Sequence, residues 1–339
     1  MNGNTITGIN DEWPSCDLER VSHCPLCGGA ESEIAHEDVQ DWAFHAAPGK
    51  WNYWKCLGCD SLYLNPRPNR KSIGRAYVAY YTHADKTGII SVLKRRWKNE
   101  RLSVLFGRTI EPRLHLPSWF QGFVRRKARK VSLPFGWHML AALIPGRLAD
   151  VGCGAGAAVH MAKQLGWDAV GIELDSDAVL AASRTGIFVQ QGGYELLKEQ
   201  RSTYDCLLCS HVLEHVHDPL DMLATLRDAL KPGGVLFLSL PNANSDALKH
   251  FGINWRGLEA PRHLVIPAQH ALHTFLENLG FSVESHADSL IETARESYRI
   301  ARRDIKCTSQ DRASAKKLQR ELQRDPDGAD FIKLICRKM

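Results

Sequence analysis

After Gly146, short apolar runs alternate along the chain with segments whose apolar residues recur at helical spacing. The runs have the length of single strands and lie at 148–151, 168–173, 187–189, 204–209, 235–240, 281–284 and 331–336. Strands that alternate with helices form parallel sheets, with crossover helices on both faces. The pattern therefore predicts an α/β fold with a doubly wound sheet for this part of the chain.

Capping residues give the expected ends of two helices in this region. Ser176 is predicted to be the N-cap of a helix that runs to Arg184, because a serine hydroxyl accepts hydrogen bonds from the first turn. The helix 218–230 is followed by Lys231-Pro232-Gly233-Gly234, and a glycine there suits the C-cap. Each of these helices would connect one strand of the sheet to the next.

The first 145 residues lack this alternation, and we divide them into three regions. Residues 1–20 carry little pattern and are predicted to be poorly ordered. Residues 21–68 contain two cysteine pairs and end at a turn with two prolines. Residues 69–145 are predicted to be a mostly helical connecting region that Pro112, Pro117 and Pro134 divide. The α/β domain is then expected to occupy 146–339, where the polar stretch 299–324 also looks helical.

The composition is that of an ordinary globular protein, with 44% hydrophobic and 24% charged residues among 339. No apolar run approaches the roughly 20 residues of a membrane-spanning helix. The first residues have neither the basic start nor the apolar core of a secretory signal, so we expect a cytoplasmic protein. Six of the ten cysteines follow no framework spacing, which also favours a reducing compartment.

Charge is concentrated in one segment of the connecting region. Residues 86–130 contain thirteen Lys or Arg and only two acids, Glu100 and Glu111, although the whole chain has a net charge of only +5. One interpretation is the solvated face of a helix. The other is a surface for an anionic membrane, a phosphate-bearing substrate or nucleic acid, since clustered basic charge attracts such partners.

A glycine-rich loop opens the α/β domain, in the sequence Asp150-Val151-Gly152-Cys153-Gly154-Ala155-Gly156. A strand that turns through glycines into a helix lets the backbone approach a ligand closely, with helix N–H groups facing it. Glu173 ends the next strand about 20 residues later, where a carboxylate can bind both ribose hydroxyls. These two features predict a nucleoside-type cofactor, without choosing between NAD and S-adenosylmethionine.

Motifs further along the chain favour S-adenosylmethionine over NAD, because they resemble the motifs of a known enzyme family. The segments 204–219, 230–236 and Pro241-Asn242 resemble the fourth strand, the turn before the fifth strand and the loop after it in class I methyltransferases of the ubiquinone-biosynthesis O-methyltransferase type. The resemblance implies a Rossmann-like fold and S-adenosylmethionine as cofactor. It implies cofactor contacts from Asp150, Gly152, Cys153, Gly154, Gly156, Glu173, Leu174, Ser210 and His211. The acid that often follows the third strand is missing here, so Gln191 or backbone is expected to bind adenine instead.

Two C-x-x-C motifs, Cys24/Cys27 and Cys56/Cys59, stand in the N-terminal region. Four thiolates close a tetrahedral structural zinc site without an open position for substrate. The alternatives are four free or disulfide-linked cysteines, or a redox role for one pair. The region resembles the N-terminal zinc ribbon of some bacterial methyltransferases, several of which act on sugars. In those proteins a tyrosine-rich helix follows the ribbon, which Tyr77 to Tyr81 fits here.

Histidines are the expected catalytic groups, because removal of a hydroxyl proton near neutral pH suits imidazole. The candidates are His211, His215, His217 and His263, of which His263 and then His211 are preferred as the base. Arg256 and Arg262 are candidates for binding a phosphate or carboxylate on the substrate, or are exposed arginines without a role.

The predicted function is therefore S-adenosylmethionine-dependent O-methylation of a small-molecule or saccharide-type acceptor. An RNA methyltransferase that reads nucleic acid with its ribbon and basic segment is an alternative. The segment after the fourth strand argues against it, because Ser210-His211-Val212-Leu213 stands where base methyltransferases often carry two prolines. A cofactor-binding protein without activity is a third interpretation. The sequence does not define the oligomeric state.

Overall fold

The structure, a computed structural model, describes residues 12–77, 89–129, 131, 135–286, 291–322 and 328–339. Its strands are β1 Leu18–Glu19, β2 Ser32–Val39, β3 Trp51–Cys56, β4 Leu62–Leu64, β5 Arg67–Pro68, β6 Arg147–Val151, β7 Asp168–Glu173, β8 Val189–Gln191, β9 Tyr204–Ser210, β10 Leu230–Pro241, β11 Val265–Ile266, β12 Phe281–Ser285 and β13 Phe331–Lys338. Its helices are α1 Ile89–Phe106, α2 Gln121–Ala128, α3 Trp137–Ala142, α4 Ala157–Gln164, α5 Ser176–Arg184, α6 Pro219–Ala229, α7 Asp246–Phe251, α8 Gln269–Asn278, α9 Ile291–Ala301 and α10 Ser309–Leu322. None of the helices described is long and apolar enough to span a membrane.

The central sheet has seven strands in the order β12-β13-β10-β9-β6-β7-β8. The pairs from β10 to β8 are parallel, whereas β13 runs antiparallel to both β10 and β12. Alternate residues of β9 enter different cores: Leu207 packs with α6 and α8, and Cys206 with α3 and α4. Helices therefore cover both faces, and the predicted doubly wound α/β fold is confirmed.

A second sheet joins the two halves of the chain. Its order is β11-β4-β3-β2, so that three strands of the cysteine-containing region are extended by a strand from the α/β domain. Val265 pairs with Tyr63 and Ile266 with Leu62. One hydrophobic core contains both Trp51 of the N-terminal region and Trp255 of the α/β domain. We call residues 21–68 the four-cysteine unit; its boundary at residue 68 stays a prediction.

Three local predictions for the α/β domain were wrong. Asp175, and not Ser176, is the N-cap of α5, and its carboxylate accepts a hydrogen bond from the Asp177 N–H at 3.0 Å. No glycine C-cap ends α6, because the chain enters β10 directly at Leu230, and Gly233 lies in a register shift of that strand. The third strand, β8, begins two residues later than predicted, since Val189 is the residue that pairs with Gly171.

The described part of the connecting region contains the helices α1, α2 and α3. Pro112 and Pro117 lie between α1 and α2, while Pro134 lies outside the described residues. Tyr77 ends a short 3-10 turn, and Tyr80 and Tyr81 also lie outside them. The polar stretch 299–324 includes the end of α9 and all of α10, which form a helical insertion between β12 and β13.

Candidate active site

The glycine loop connects β6 to α4, and three of its glycines have left-handed backbone angles. The φ values are +72° at Gly152, +54° at Gly154 and +77° at Gly156. A Cβ atom on Gly152 would lie 2.3 Å from a methyl carbon of Val212, in the loop after β9. Glycine is thus required at 152 both by the backbone angle and by this close approach.

Two carboxylates lie beside this loop. Glu173, at the end of β7, accepts hydrogen bonds from the Gly154 N–H at 2.8 Å and the Asp175 N–H at 3.0 Å. Asp150, at the end of β6, is buried, and burial together with the charge of Glu173 raises its pKa to about 7. A cationic ligand would favour the ionised form of Asp150.

A cavity of about 1040 Å³ extends from the glycine loop to the histidines. Among the predicted residues, it is lined by Gly152, Glu173, Leu174, His211 and His263. The predicted residues that do not line it are Asp150, Cys153, Gly154, Gly156, Gln191 and Ser210. Next to Gln191, however, Gly192 and Gly193 form part of the wall. Leu174 is 73% exposed and offers an apolar surface suited to an adenine ring.

His211 follows β9 directly and has an unusual backbone conformation for a histidine, with φ +56°. Its N–H donates to the Ser239 carbonyl at 2.8 Å, and its Nδ1 lies 3.2 Å from Oε1 of Glu214. Burial lowers the pKa of His211, but the hydrogen bond and charge of Glu214 outweigh it and raise the pKa above its ordinary value. The ring is 46% exposed, toward the cavity that it lines.

His263 lies in a different environment. Its Nδ1 is 2.7 Å from the Gly257 carbonyl, which fixes that nitrogen as the donor. The residue is only 4% exposed, and burial lowers the pKa of His263 to about 4. The imidazole is therefore neutral near pH 7 and a weaker base than His211.

Glu214 lies between the histidines and is fully buried. Its Oε1 is 3.2 Å from His211 and 4.0 Å from His263, and its buried Oε2 accepts no hydrogen bond from the described residues. Donor atoms of Glu214, His215 and His263 all lie within 4.8 Å of one another, which is close enough to share one cation. Nδ1 of His215 also lies 2.9 Å from the Tyr77 hydroxyl.

The far wall of the cavity is polar. The contacts of Arg256 and Arg262 in and behind this wall revise the roles predicted for them. Arg256 lines the cavity and pairs with Glu259. Arg262 is fully buried, where it pairs with Asp41 of the four-cysteine unit and with Glu259. Arg262 therefore does not reach a substrate phosphate, because its guanidinium is committed to these two carboxylates.

Helix α9 completes this wall with side chains that sequence reasoning did not assign. They are Glu292, Thr293, Arg295 and Glu296. The helix lies in the insertion between β12 and β13, and it begins before the polar stretch 299–324, so that the sequence assigned no element to residues 291–298. Its place over the cavity depends on packing against the rest of the molecule, which no local pattern shows.

The four cysteines meet at one point of the four-cysteine unit. The Cys24 and Cys59 sulfurs are 3.7 Å apart and the Cys27 and Cys56 sulfurs 3.4 Å, and all four lie within 4.8 Å. These distances exclude disulfides and are near the roughly 3.8 Å between thiolates on one tetrahedral zinc ion. The hydrogen bond between Cys24 and Cys59 lowers the pKa of Cys59 to about 5 and raises the pKa of Cys24, so that the two sulfurs share one proton.

The two cysteine pairs have the same local geometry. In the first, the Gly28 N–H donates to the Cys24 carbonyl at 2.9 Å, and Gly28 has φ +72°. In the second, the Asp60 N–H donates to the Cys56 carbonyl at 2.9 Å, and Asp60 has φ +58°. The two matching turns direct both pairs of sulfurs toward one point, as binding to one shared metal ion would require.

Comparison with known proteins supports this interpretation of the cofactor side. A family described as "Methyltransferase domain" matches residues 120–286. The ubiquinone biosynthesis O-methyltransferase of Xanthomonas axonopodis pv. citri (strain 306) is 31% identical over 172 residues, which cover 46% of this chain and 71% of that protein. The enzyme of the same name from Aliivibrio fischeri (strain MJ11) is 40% identical over 106 residues, which cover 29% of this chain and 45% of that protein.

Among solved structures, an S-adenosylmethionine-dependent methyltransferase from Archaeoglobus fulgidus is similar at 21% identity and a TM-score of 0.42. The match covers 57% of this chain and 86% of that one.

Proposed function

Because the chain belongs to the class I S-adenosylmethionine-dependent methyltransferases, we propose that its acceptor is a hydroxyl oxygen of a small, polar molecule of saccharide type. The O-methyltransferase relatives support oxygen as the acceptor atom. The cofactor, when bound, supplies a methyl group on a sulfonium, so that a C–O bond forms as the C–S bond breaks. The protein has to align the hydroxyl and take its proton.

The cofactor-binding residues of the proposal are those around the glycine loop. Glu173 would accept hydrogen bonds from the ribose hydroxyls, and Leu174 would cover one face of the adenine. The backbone of Gly152 to Gly156 would hold the amino acid part, with Asp150 supplying negative charge behind the loop. Among the described residues, backbone at Gly192 and Gly193 is better placed than Gln191 to meet the adenine edge, because both glycines line the cavity.

We assign the proton-accepting role to His211, with His263 as the second choice. The observation that carries this assignment is the Glu214–His211 pair at the end of β9. Glu214 holds Nδ1 of His211, which leaves Nε2 to take a proton, and the ring is exposed to the cavity. His263 is buried and hydrogen-bonded to the Gly257 carbonyl, so its place is that of a supporting group.

The charge of the cavity supports an uncharged, polyhydroxylated acceptor. Its described lining has three arginines but seven acids, namely Glu173, Asp175, Asp177, Glu195, Glu259, Glu292 and Glu296. Two of the arginines, Arg256 and Arg295, pair with glutamates of the same wall. On the far wall itself, Glu259, Glu292 and Glu296 outnumber Arg256 and Arg295, and this excess of acids disfavours both a phosphate-bearing acceptor and RNA. Paired polar groups suit the hydroxyls of a sugar better than the long apolar tail of a prenylated phenol.

The test is methyl transfer by wild type and by His211→Gln across sugars, surface polysaccharides and simple phenols. We expect transfer to a saccharide, and we expect His211→Gln to lower kcat by about 10²–10⁴-fold, as for loss of a general base. His270→Gln, on the exposed part of α8, is the matched control. Transfer to phenols alone would replace the acceptor class, and an active His211→Gln would contradict the assigned base.

The four-cysteine cluster is proposed to hold one structural Zn²⁺. The support is the tetrahedral spacing of the sulfurs and the burial of three of the four cysteines. All ten cysteines are free thiols in the structure.

Contact with an anionic membrane is proposed for the outer face of α1 and α2. One face of α1 packs into the core through Leu102, while Ile90, Leu93 and Trp97 recur at helical spacing on another face. Ile90 is 70% exposed and Leu93 50% exposed, and the stripe continues through the ring of Phe123 to Phe120 and the 80% exposed Trp119. The exposed bases around it are Lys94, Arg95, Arg96, Lys98, Arg125, Arg126, Lys127 and Arg129.

An apolar stripe flanked by basic side chains is typical of a surface that lies in the membrane interface. We expect sedimentation with phosphatidylglycerol vesicles, and little with phosphatidylcholine vesicles. Trp119→Ser should weaken the binding, because it removes an exposed interfacial anchor, while Ile305→Ser, at an equally exposed residue outside the stripe, should not. Equal binding of both variants, or binding to duplex RNA in place of vesicles, would contradict the proposal.

A further inference from the structure

The acceptor wall contains a segment with little regular structure of its own. Residues 255–264 lie between a short 3-10 turn and β11, and they supply Arg256, Gly257, Glu259 and His263 to the cavity. Glu259 has φ +42°, which is a strained angle for a non-glycine residue. A segment of this kind keeps one shape only if its surroundings impose it.

Backbone contacts from the four-cysteine unit fix this segment from behind. The hydroxyl of Tyr53, on β3, lies 2.5 Å from the Leu258 carbonyl and 2.8 Å from the His263 carbonyl, and Tyr53 is fully buried. The Leu64 N–H donates to the Leu264 carbonyl at 3.0 Å. One tyrosine hydroxyl thus joins the two ends of the stretch that carries Glu259.

A buried chain of charges makes a second connection. Asp41, in the loop after β2, binds the Arg262 guanidinium with both carboxylate oxygens, at 2.5 and 2.9 Å. Arg262 in turn donates from Nε to Glu259 at 3.1 Å. Asp41, Arg262 and Glu259 are all buried. Both charges of such a pair are shielded from water, so removing one partner leaves the other charge buried without compensation. The stability lost is then far greater than when an exposed ion pair is broken.

The loop of Asp41 also provides an aromatic surface. The ring of Phe44 lies 4.7 Å from the guanidinium carbon of Arg256 and 4.8 Å from that of Arg262. The N–H groups of Phe44, Ala46 and Ala47 donate to the Asp41 carboxylate, so one side chain shapes the loop and holds Arg262. Arg256 is thereby placed by Phe44 on one side and by Glu259 on the other.

Among the described residues, no hydrogen bond joins the glycine loop to the four-cysteine unit, which instead contacts His217, in the loop after β9, through Arg67 and Pro68. The glycine loop is held by Ile172, Glu173 and Val212, which all belong to the α/β domain. The segment 255–264 also has partners there, since the Arg256 N–H donates to Ser297 and the Leu264 N–H to the Glu214 carbonyl. The hydrogen bonds of the carbonyls at 258 and 263, by contrast, come from the four-cysteine unit.

We propose that the four-cysteine unit shapes the acceptor site from behind its wall, with Asp41, Phe44 and Tyr53 as positioning residues for Arg256, Glu259 and His263. They set the shape of the wall against which the acceptor lies and leave the cofactor half independent. This inference rests on the proposed function only in assigning that wall to the acceptor.

The experiment compares full-length wild type with Tyr53→Phe and Asp41→Asn, in the presence of S-adenosylhomocysteine. Lys50→Ala is the matched control, because Lys50 belongs to the same unit but pairs only with Asp38 at the exposed surface. Amide hydrogen exchange is measured by mass spectrometry for peptides covering 255–264 and 150–156. Calorimetry gives the Kd of S-adenosylhomocysteine, and thermal denaturation reports whether each variant is folded.

Tyr53→Phe keeps the ring and its packing, so we expect a folded variant. Exchange in 255–264 should become about tenfold faster, the factor that one lost buried hydrogen bond implies. Exchange in 150–156 and the Kd of S-adenosylhomocysteine should stay within about twofold of wild type, as in Lys50→Ala. Asp41→Asn should change the same peptides more strongly.

Measurements of turnover distinguish a failure of this inference from a failure of the proposed function. With an acceptor found in the panel above, Tyr53→Phe should raise the acceptor KM by about tenfold, with a smaller change in kcat. If no acceptor is found, the proposed function has failed, while the exchange pattern still decides the positioning role. Unchanged protection of 255–264 in Tyr53→Phe, or equal loss in both peptides, would overturn the inference.

Discussion

Asp150 and Glu173 are two carboxylates beside one loop, in different surroundings. Glu173 accepts two backbone hydrogen bonds, from the Gly154 and Asp175 N–H groups. Asp150 is buried beside it, and burial and the negative charge of Glu173 raise its pKa to about 7. Near neutral pH, Asp150 is thus poised to lose a proton when positive charge arrives in the loop.

We therefore predict that the Kd of S-adenosylmethionine falls as the pH rises from 6 to 8. A cationic sulfonium lowers the pKa of Asp150, so binding releases a proton below about pH 7 and is opposed there. Calorimetry in buffers of different ionisation enthalpy measures this proton release. Asp150→Asn should remove it, and S-adenosylhomocysteine, which lacks the sulfonium charge, should show less of it. Equal pH dependence for both ligands would argue against the role of Asp150.

At the residue scale, the sequence was sufficient to select the candidates but not to rank them. His211 and His263 stood out because each follows a strand of the α/β pattern. What distinguishes them is their packing: Glu214, three residues further on, holds Nδ1 of His211, whereas burial lowers the pKa of His263 to about 4. The role suggested for Arg262 was wrong because of a long-range contact, since Asp41, more than 200 positions away, binds its guanidinium.

At the scale of elements, two glycines of the glycine loop are constrained in different ways. Gly152 and Gly154 both have positive φ, but only Gly152 lies against a neighbour, at 2.3 Å from Val212 for an added Cβ. An added Cβ on Gly154 meets no atom within 4 Å. The loop and the segment after β9 therefore pack at one point, and Gly152 is that point.

We predict that Gly152→Ala destabilises the protein more than Gly154→Ala does. Both should cost about 1 kcal/mol for the left-handed angle, and Gly152→Ala a further 1–3 kcal/mol for displacing Val212. Urea unfolding without cofactor measures the difference in the free energy of unfolding, and Gly154→Ala serves as the control. If the two variants were equally stable, the contact with Val212 would not be the constraint on this loop.

Strands with strong apolar runs could be predicted from the sequence, and the elements that build the acceptor side could not. The runs at 204–209 and 235–240 correspond to β9 and β10, which are buried at the centre of the sheet. Strand β11 has only two residues, and it exists because it pairs with β4 across the molecule. Most of helix α9 precedes the predicted polar stretch 299–324 and was not expected, and its position over the cavity follows from tertiary packing.

At the scale of the whole molecule, the two predicted domains share a core. Trp13, Trp51 and Leu26 pack in one cluster with Trp255 and Leu264, and β11 extends the sheet of the four-cysteine unit. The sequence predicted the sulfur cluster from its spacing but not this fusion, because the contacts join residues about 200 positions apart. A shared core makes independent unfolding of the two parts unfavourable, since either part alone would expose apolar surface.

The proposed zinc ion should consequently stabilise more than the unit that holds it. We predict that Cys27→Ser, or metal removal by a chelator under reducing conditions, lowers the Tm of the whole protein in a single transition. The shift should be several degrees, since 1 kcal/mol changes Tm by about 2–4 °C in domains of 150–250 residues. Cys16→Ser, at an exposed cysteine outside the cluster, should leave metal content and Tm unchanged. Two separate transitions, with the upper one insensitive to the chelator, would show instead that the α/β domain is stable without the metal, and would contradict the shared core as the basis of stability.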